Sequence, residues 1–434
     1  MARFPNKLLV VQAAALGYDF VVNQHGAQWQ GRPFGSIDTC FPAVTCSAQA
    51  TFRTAAPPAL HGMIANGRYF RELRRPMFWE QSSSLVAGPR MWDAARSQDA
   101  SVAMLFWQQS LGESVDQLIS PQPVHKHSGR MIQACYSKPD DLYKLLCAEV
   151  GSSFKLQHYW GPLASSRSSA WITEATAALL SDPAHAPDIA LTYLPVLDYD
   201  LQRFGPGHPR SAAALKALMT QLQILHAICL SEGYDMLVFG DYAMGTVSGG
   251  AVAPNMALAE AGLFKWRDVK GRRYPDFHGS RAFAMVDHEV AHVYVRDAAD
   301  IETTASVLRE RSGVERVLCR ADQEAFHVAH PNSGELILIA EPGHWFAYPW
   351  WTSSDHEPDY AAHIDIHNKP GYDPCELFWG WPPPSVTRDT ERVKGTHGRV
   401  GPDRRVAWWS TIDLPAAPSD LATLSLIIQQ WLAG

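Results

Sequence analysis

The chain has 434 residues, with 37 Lys+Arg against 44 Asp+Glu and a formal net charge of −7. Hydrophobic residues at 46% supply ample core, and charged residues at 19% are too few for a disordered or coiled-coil protein. The mild acidic balance, without a Lys/Arg cluster, argues against nucleic acid as a partner, and no apolar run reaches the roughly 18–20 residues that span a bilayer.

At about 150 residues per domain, the length allows two or three units, or one large α/β domain with a smaller insertion. Leu8–Ala13 is predicted as a buried strand; the same stretch resembles a signal peptide only weakly, being short and interrupted by Gln12. Pro42–Ser47 then places Thr45 just before a predicted helix, followed by Leu60–Asn66. A threonine there is either a helix cap or a group that the helix N-terminus favours as an anionic nucleophile or a phosphate contact. Ser101–Phe106, Ile189–Leu194 and Met236–Phe239 read as further buried strands. Asp198 and Asp241 follow the last two, where open α/β sheets put their ligands, and each could cap a loop or hold a metal.

Leu215, Leu218, Leu222, Leu225 and Cys229 recur at helical steps across Ser211–Ser231, and Gly233 closes that helix. A glycine-rich loop, a strand at His292–Val295, a helix at Ile301–Ser312 and a strand at Gly313–Leu318 compose a small α+β unit. Leu336–Ala340 is another buried strand. The stretch after Glu341 is rich in Trp, Pro, Gly and His with little regular pattern, as functional loops are.

Histidines gather late: His288 beside Asp287, then His292, His363, Asp365-x-His367 and His397. Carboxylate with imidazole suits zinc, manganese or iron, although a lone histidine serves equally as a hydrogen-bonded structural residue. On one strand, Asp365 and His367 would face the same way and could share an ion. The 15 tryptophans fit core and lid packing, or an aromatic wall for an apolar substrate. The seven cysteines show no CxxC spacing, which fits reduced thiols in a cytoplasmic protein.

Taken in order, these segments resemble the type I phosphodiesterase/nucleotide pyrophosphatase branch of the alkaline phosphatase superfamily. PAVTCSAQATFRTAAPPALHGMIAN (Pro42–Asn66) resembles the nucleophile segment, which implies Thr45 as nucleophile and Asn66 as the donor facing the developing oxyanion. LPVLDYDLQRFGP, VFGDYAM and KGTHGRV resemble metal-ligand segments, implying ligand roles for Asp198, Asp241 and His397. Three ligand positions of the family pattern depart, to Ala14, Gln202 and Tyr242. A second register matches the last ligand segment to Lys369–Pro374, with Pro370 in place of the histidine.

The resemblance implies an α/β fold with a mainly parallel, alkaline-phosphatase-like sheet flanked by helices. Residues 1–244 and 333–434 would form that core and residues 245–332 an inserted α+β cap. It implies a metal-dependent hydrolase of small phosphodiesters or phosphomonoesters, possessing a rebuilt site for a divalent ion (zinc, or else manganese or iron). Asp365, His367 and His288 would supply the missing ligands. The alternative is a repurposed fold that binds a phosphorylated or apolar ligand without hydrolysing it. The expected partner is a small phosphate ester with an apolar portion, with no nucleic acid and no membrane span. Nothing in the sequence identifies the oligomeric state.

Overall fold

The computed structural model describes residues 5–127 and 131–434. Its main sheet has eight strands, in the spatial order 135–138, 117–121, 102–105, 189–194, 8–13, 235–240, 406–410 and 35–37. The five strands from 117–121 to 235–240 run parallel, and the remaining three pair antiparallel at the two edges. Leu8–Ala13 lies in the middle and is buried along its whole length. Its alternate residues serve two cores. Leu9, Val11 and Ala13 meet the face covered by helices Ser166–Ser181 and Pro209–Glu232. Leu8 and Val10 meet the face covered by helices Thr45–Thr54 and Leu421–Ala433. Gln12 continues the second series, which places a polar side chain inside that face.

The other large sheet is antiparallel, in the order 282–287, 290–295, 336–340, 314–318, and encloses its own apolar core. Leu336–Ala340 bridges its neighbours there, so this unit extends past position 332 into the segment expected to return to the main core. The stretch after Glu341 is less irregular than its composition implies. Val406–Ser410 is an antiparallel strand of the main sheet, and Leu421–Ala433 is a helix whose Asp420 cap accepts the amide of Thr423. Pro209–Glu232 is, among the described residues, one helix long and apolar enough to cross a membrane, against the expectation of none. Half of its most apolar window is buried, with Leu215, Leu218, Leu222 and Leu225 in the main core.

Candidate active site

Three adjacent parallel strands end at one buried polar cluster. After Ile189–Leu194 comes helix Val196–Phe204, which carries Asp198 and Gln202 one turn apart on the same side. After Leu8–Ala13 comes the Ala14-Ala15 turn, and after Asp235–Gly240 come Asp241 and Tyr242. Each carboxylate is held by neutral donors. Asp241 Oδ1 accepts the amides of Ala15 (2.9 Å) and Tyr242 (3.0 Å), while Oδ2 accepts Gln12 Nε2 (2.8 Å). Asp198 accepts Tyr242 Oη on one oxygen (2.8 Å) and Gln202 Nε2 on the other (2.6 Å). Burial, only partly offset by these hydrogen bonds and, for Asp198, by the Arg203 charge, pushes the Asp198 carboxyl up to about 6 and that of Asp241 to about 7.

Thr45 opens helix Thr45–Thr54, and every residue of that helix is buried. The N-cap position belongs to Val44, in extended conformation, so Thr45 is not the cap. Its hydroxyl has no hydrogen-bond partner among the described residues. Asn66 folds back on this turn: Oδ1 accepts the amide of Cys46 (3.0 Å), and Nδ2 donates to Asp287 Oδ1 (3.1 Å). The backbone amide of Asn66 donates to Asp287 Oδ2 (2.7 Å). On the other side of Thr45, His397 Nδ1 donates to the carbonyl of Ala43 (2.8 Å).

Four rings fill the space between these groups. Tyr242 stacks on His397 with centroids 3.4 Å apart, His397 meets His288 at a 35° tilt with centroids 3.7 Å apart, and His288 stacks on Tyr372 at 3.8 Å. Gln202 closes the circuit, donating to Tyr372 Oη (2.9 Å) as well as to Asp198. The second register of the last segment therefore also reaches the centre, through Tyr372. Gln12 and Tyr372 are members that sequence reasoning missed, and Asp287, noted there only beside His288, binds Asn66.

His288 sits in the two-residue connection between strands Ala282–Asp287 and Val290–Val295, at φ +58°. That left-handed conformation is costly for a residue with a Cβ, and it is clamped from both sides. The His288 carbonyl accepts Phe346 N (2.7 Å), and Glu289 N donates to the His397 carbonyl (2.8 Å). Glu289 is buried against Arg404 (2.9 Å) and the Arg399 amide (3.1 Å). Removing the arginine charge in Arg404→Met leaves a buried carboxylate, at a cost of about 3–5 kcal/mol. Guanidinium unfolding checks this, with Glu289→Gln/Arg404→Met expected to recover much of the loss.

Two expected ligands lie elsewhere. Asp365 and His367 belong to a turn rather than a strand: Asp365 Oδ1 accepts the amides of His367 (3.0 Å) and Asn368 (2.9 Å), and His367 is exposed. The short aspartate side chain caps its own turn, so the Asp-x-His spacing has a local cause. His288 is in the centre, yet its Nδ1 is bonded to Asp287 Oδ1 (2.8 Å). Among the described residues no three His, Cys, Asp or Glu side chains are grouped to hold a metal ion. Both oxygens of Asp198 and of Asp241 are engaged, and tyrosine and glutamine stand where the resemblance expects imidazoles. This donor set does not fit a catalytic metal pair, which needs about three protein ligands per ion.

The fold is that of the alkaline phosphatase superfamily. The type I phosphodiesterase/nucleotide pyrophosphatase family model matches residues 31–373, and the chain belongs to that family of phosphoester hydrolases, whose members are metal-dependent, typically on zinc. His397 lies beyond the matched residues. Among solved structures, phosphonoacetate hydrolase from Sinorhizobium meliloti 1021 has a TM-score of 0.65 at 16% identity, covering 100% of this chain and 96% of its own. It was crystallised with phosphonoformate and with phosphonoacetate. Murine ectonucleotide pyrophosphatase/phosphodiesterase 5 has a TM-score of 0.62 at 12% identity, covering 98% of this chain and 95% of its own. Comparison with curated proteins gives no match.

Proposed function

We propose that this chain hydrolyses a small phosphate ester through Thr45, by way of a covalent phosphothreonine. The observation that carries the reading is the placement of Thr45. Its hydroxyl is uncommitted at the first position of a ten-residue helix, where the peptide dipoles favour developing negative charge. Asn66 supports the same centre, since its Nδ2 gives one hydrogen to Asp287 and keeps a second for a non-bridging phosphoryl oxygen.

The crevice outside Tyr372 joins Phe78, Trp79, Trp160 and Ile366 to the carboxylates of Asp365, Asp373 and Glu376, and Trp160 Nε1 donates to Glu376 (2.7 Å). At about 10 Å³ it has no room for a ring or chain, so the class of the leaving group is left to the assay.

Rapid quenching with bis(4-nitrophenyl) phosphate, followed by mass spectrometry of the peptide that carries Thr45, tests the covalent step. Phosphate on Thr45 is the expected result. The closed circuit of rings favours a second reading, a fold that binds a phosphorylated ligand without turnover. Absence of both phosphothreonine and product over hours would establish that reading instead.

A further inference from the structure

At the far end of the helix that begins with Thr45, a fully buried arginine keeps one edge of its guanidinium idle. Arg53 stands in the last turn of helix Thr45–Thr54 and is 0% exposed. Its Nη1 donates to the carbonyl of Gln109 (2.7 Å) and to Glu113 Oε2 (3.2 Å). Nε and Nη2 are buried with no partner among the described residues. These two nitrogens share one edge of a planar group, so their N–H bonds run side by side as a fork that suits a single anion. Two further buried donors without partners adjoin the cluster in the chain: Gln49 Nε2, one turn earlier on the same helix, and Ser110 Oγ, next to Gln109. Gln109 Oε1 is unpartnered too, and it bonds neither nitrogen of the fork.

The charge around the fork does not balance. Glu113 Oε2 also accepts Arg90 Nε (2.9 Å), so two guanidiniums share one carboxylate. The rest of the Arg90 guanidinium goes to the carbonyls of Gly88 (2.6 Å) and Val86 (3.1 Å). Asp93, nearby, is exposed and accepts the Arg90 backbone amide (2.7 Å). Cys46 and His61, which also feel the Arg53 charge, are neutral at neutral pH: burial pushes the thiol up to about 12 and the imidazole down to about 3. Burial lowers Arg53 only to about 10, which leaves it charged. A buried charge that is neither paired nor fully hydrogen-bonded is costly. Water would satisfy the donors of the fork without supplying the missing negative charge.

We propose that the Arg53 fork holds a chloride-sized monovalent anion, a structural ion that completes the charge balance of the Arg53–Glu113–Arg90 cluster. A single negative charge neutralises the cluster, whereas a divalent oxyanion would reverse its sign and cost more to strip of water. The ion would tie helix Thr45–Thr54 to the loop that carries Gln109 and Glu113. Arg53 follows Thr45 by about 12 Å along the helix, so this site is separate from the centre at Thr45 and does not depend on the role of that threonine.

The test follows thermal unfolding of the whole chain as sodium chloride replaces sodium gluconate at constant ionic strength. For a dissociation constant of about 1–10 mM, about 200 mM chloride should raise the wild-type melting temperature by about 2–4 °C, and bromide should do the same. Arg53→Met, which leaves Glu113 and Arg90 as a one-to-one pair, should remove the response. If that variant does not fold, Arg53→Lys, with an ammonium in place of the fork, should lose at least half of it. Crystals grown in sodium bromide should show anomalous scattering within hydrogen-bond reach of Arg53 Nε and Nη2. A wild type indifferent to both halides, an Arg53 variant that keeps the full response, or a fork occupied by water alone in the bromide crystals would each overturn the assignment.

Discussion

Thr45→Ala is expected to abolish hydrolysis, by on the order of 10⁴-fold or more in kcat, while the protein keeps its fold. The loss follows from removing the only protein atom proposed to form a bond with phosphorus. The intact fold follows from what Thr45 does not do. Its hydroxyl holds no hydrogen bond among the described residues and Val44 occupies the cap position, so the substitution removes no cap from the helix terminus. Alanine is a better helix former than threonine, which offsets the buried methyl that is lost; the net change should stay within about 1 kcal/mol. Circular dichroism and thermal unfolding of both proteins, beside initial rates on bis(4-nitrophenyl) phosphate, measure the two halves separately. A folded variant with undiminished turnover would rule out a covalent route through this residue.

The parallel core was legible because its strands are short, continuous and apolar. Leu8–Ala13, Ile189–Leu194 and Leu336–Ala340 begin and end where the sequence pattern places them. Neighbours across the sheet were not legible, since pairing depends on contacts far apart in the chain. Val406–Ser410 illustrates this, with two tryptophans that read only as core and lid packing or an aromatic wall until Val238 and Phe239 are found beside them. The site divides in a similar way. Thr45, Asn66, Asp198, Asp241 and His397 stand in recognisable segments, and the structure gathers them within one network. The ring stack was hidden, because it is made of residues 242, 288, 372 and 397 from four separate segments. Asp365 and His367 misled for the opposite reason, as their spacing expresses only a local turn. One signal was present and unused: Gln12 is a lone amide in an otherwise apolar strand, and its partner is Asp241.

That partnership carries the second large expectation, that Asp241→Asn raises stability at pH 8. Asp241 is fully buried, and desolvation, with the nearby Asp198 charge adding to it, pushes its carboxyl from 3.8 up to about 7. The native state then holds a proton that the unfolded chain has already released. The fold benefits most below the unfolded value, near pH 4, and loses this contribution as pH rises through about 7. By pH 8 the ionised group costs about 2–4 kcal/mol.

Asparagine removes the charge and keeps the shape. Oδ1 still accepts the amides of Ala15 and Tyr242. Its Nδ2 faces Gln12, whose Oε1 has no partner among the described residues, and a flip of that amide makes a new hydrogen bond. The melting temperature should therefore rise by about 2–4 °C at pH 8, and the gain should shrink by more than half at pH 5. A fall in melting temperature at pH 8, together with zinc stabilising the wild type alone, would instead make Asp241 a metal ligand. The pH at which the gain disappears separates a carboxylate that the fold tolerates from one that an ion requires.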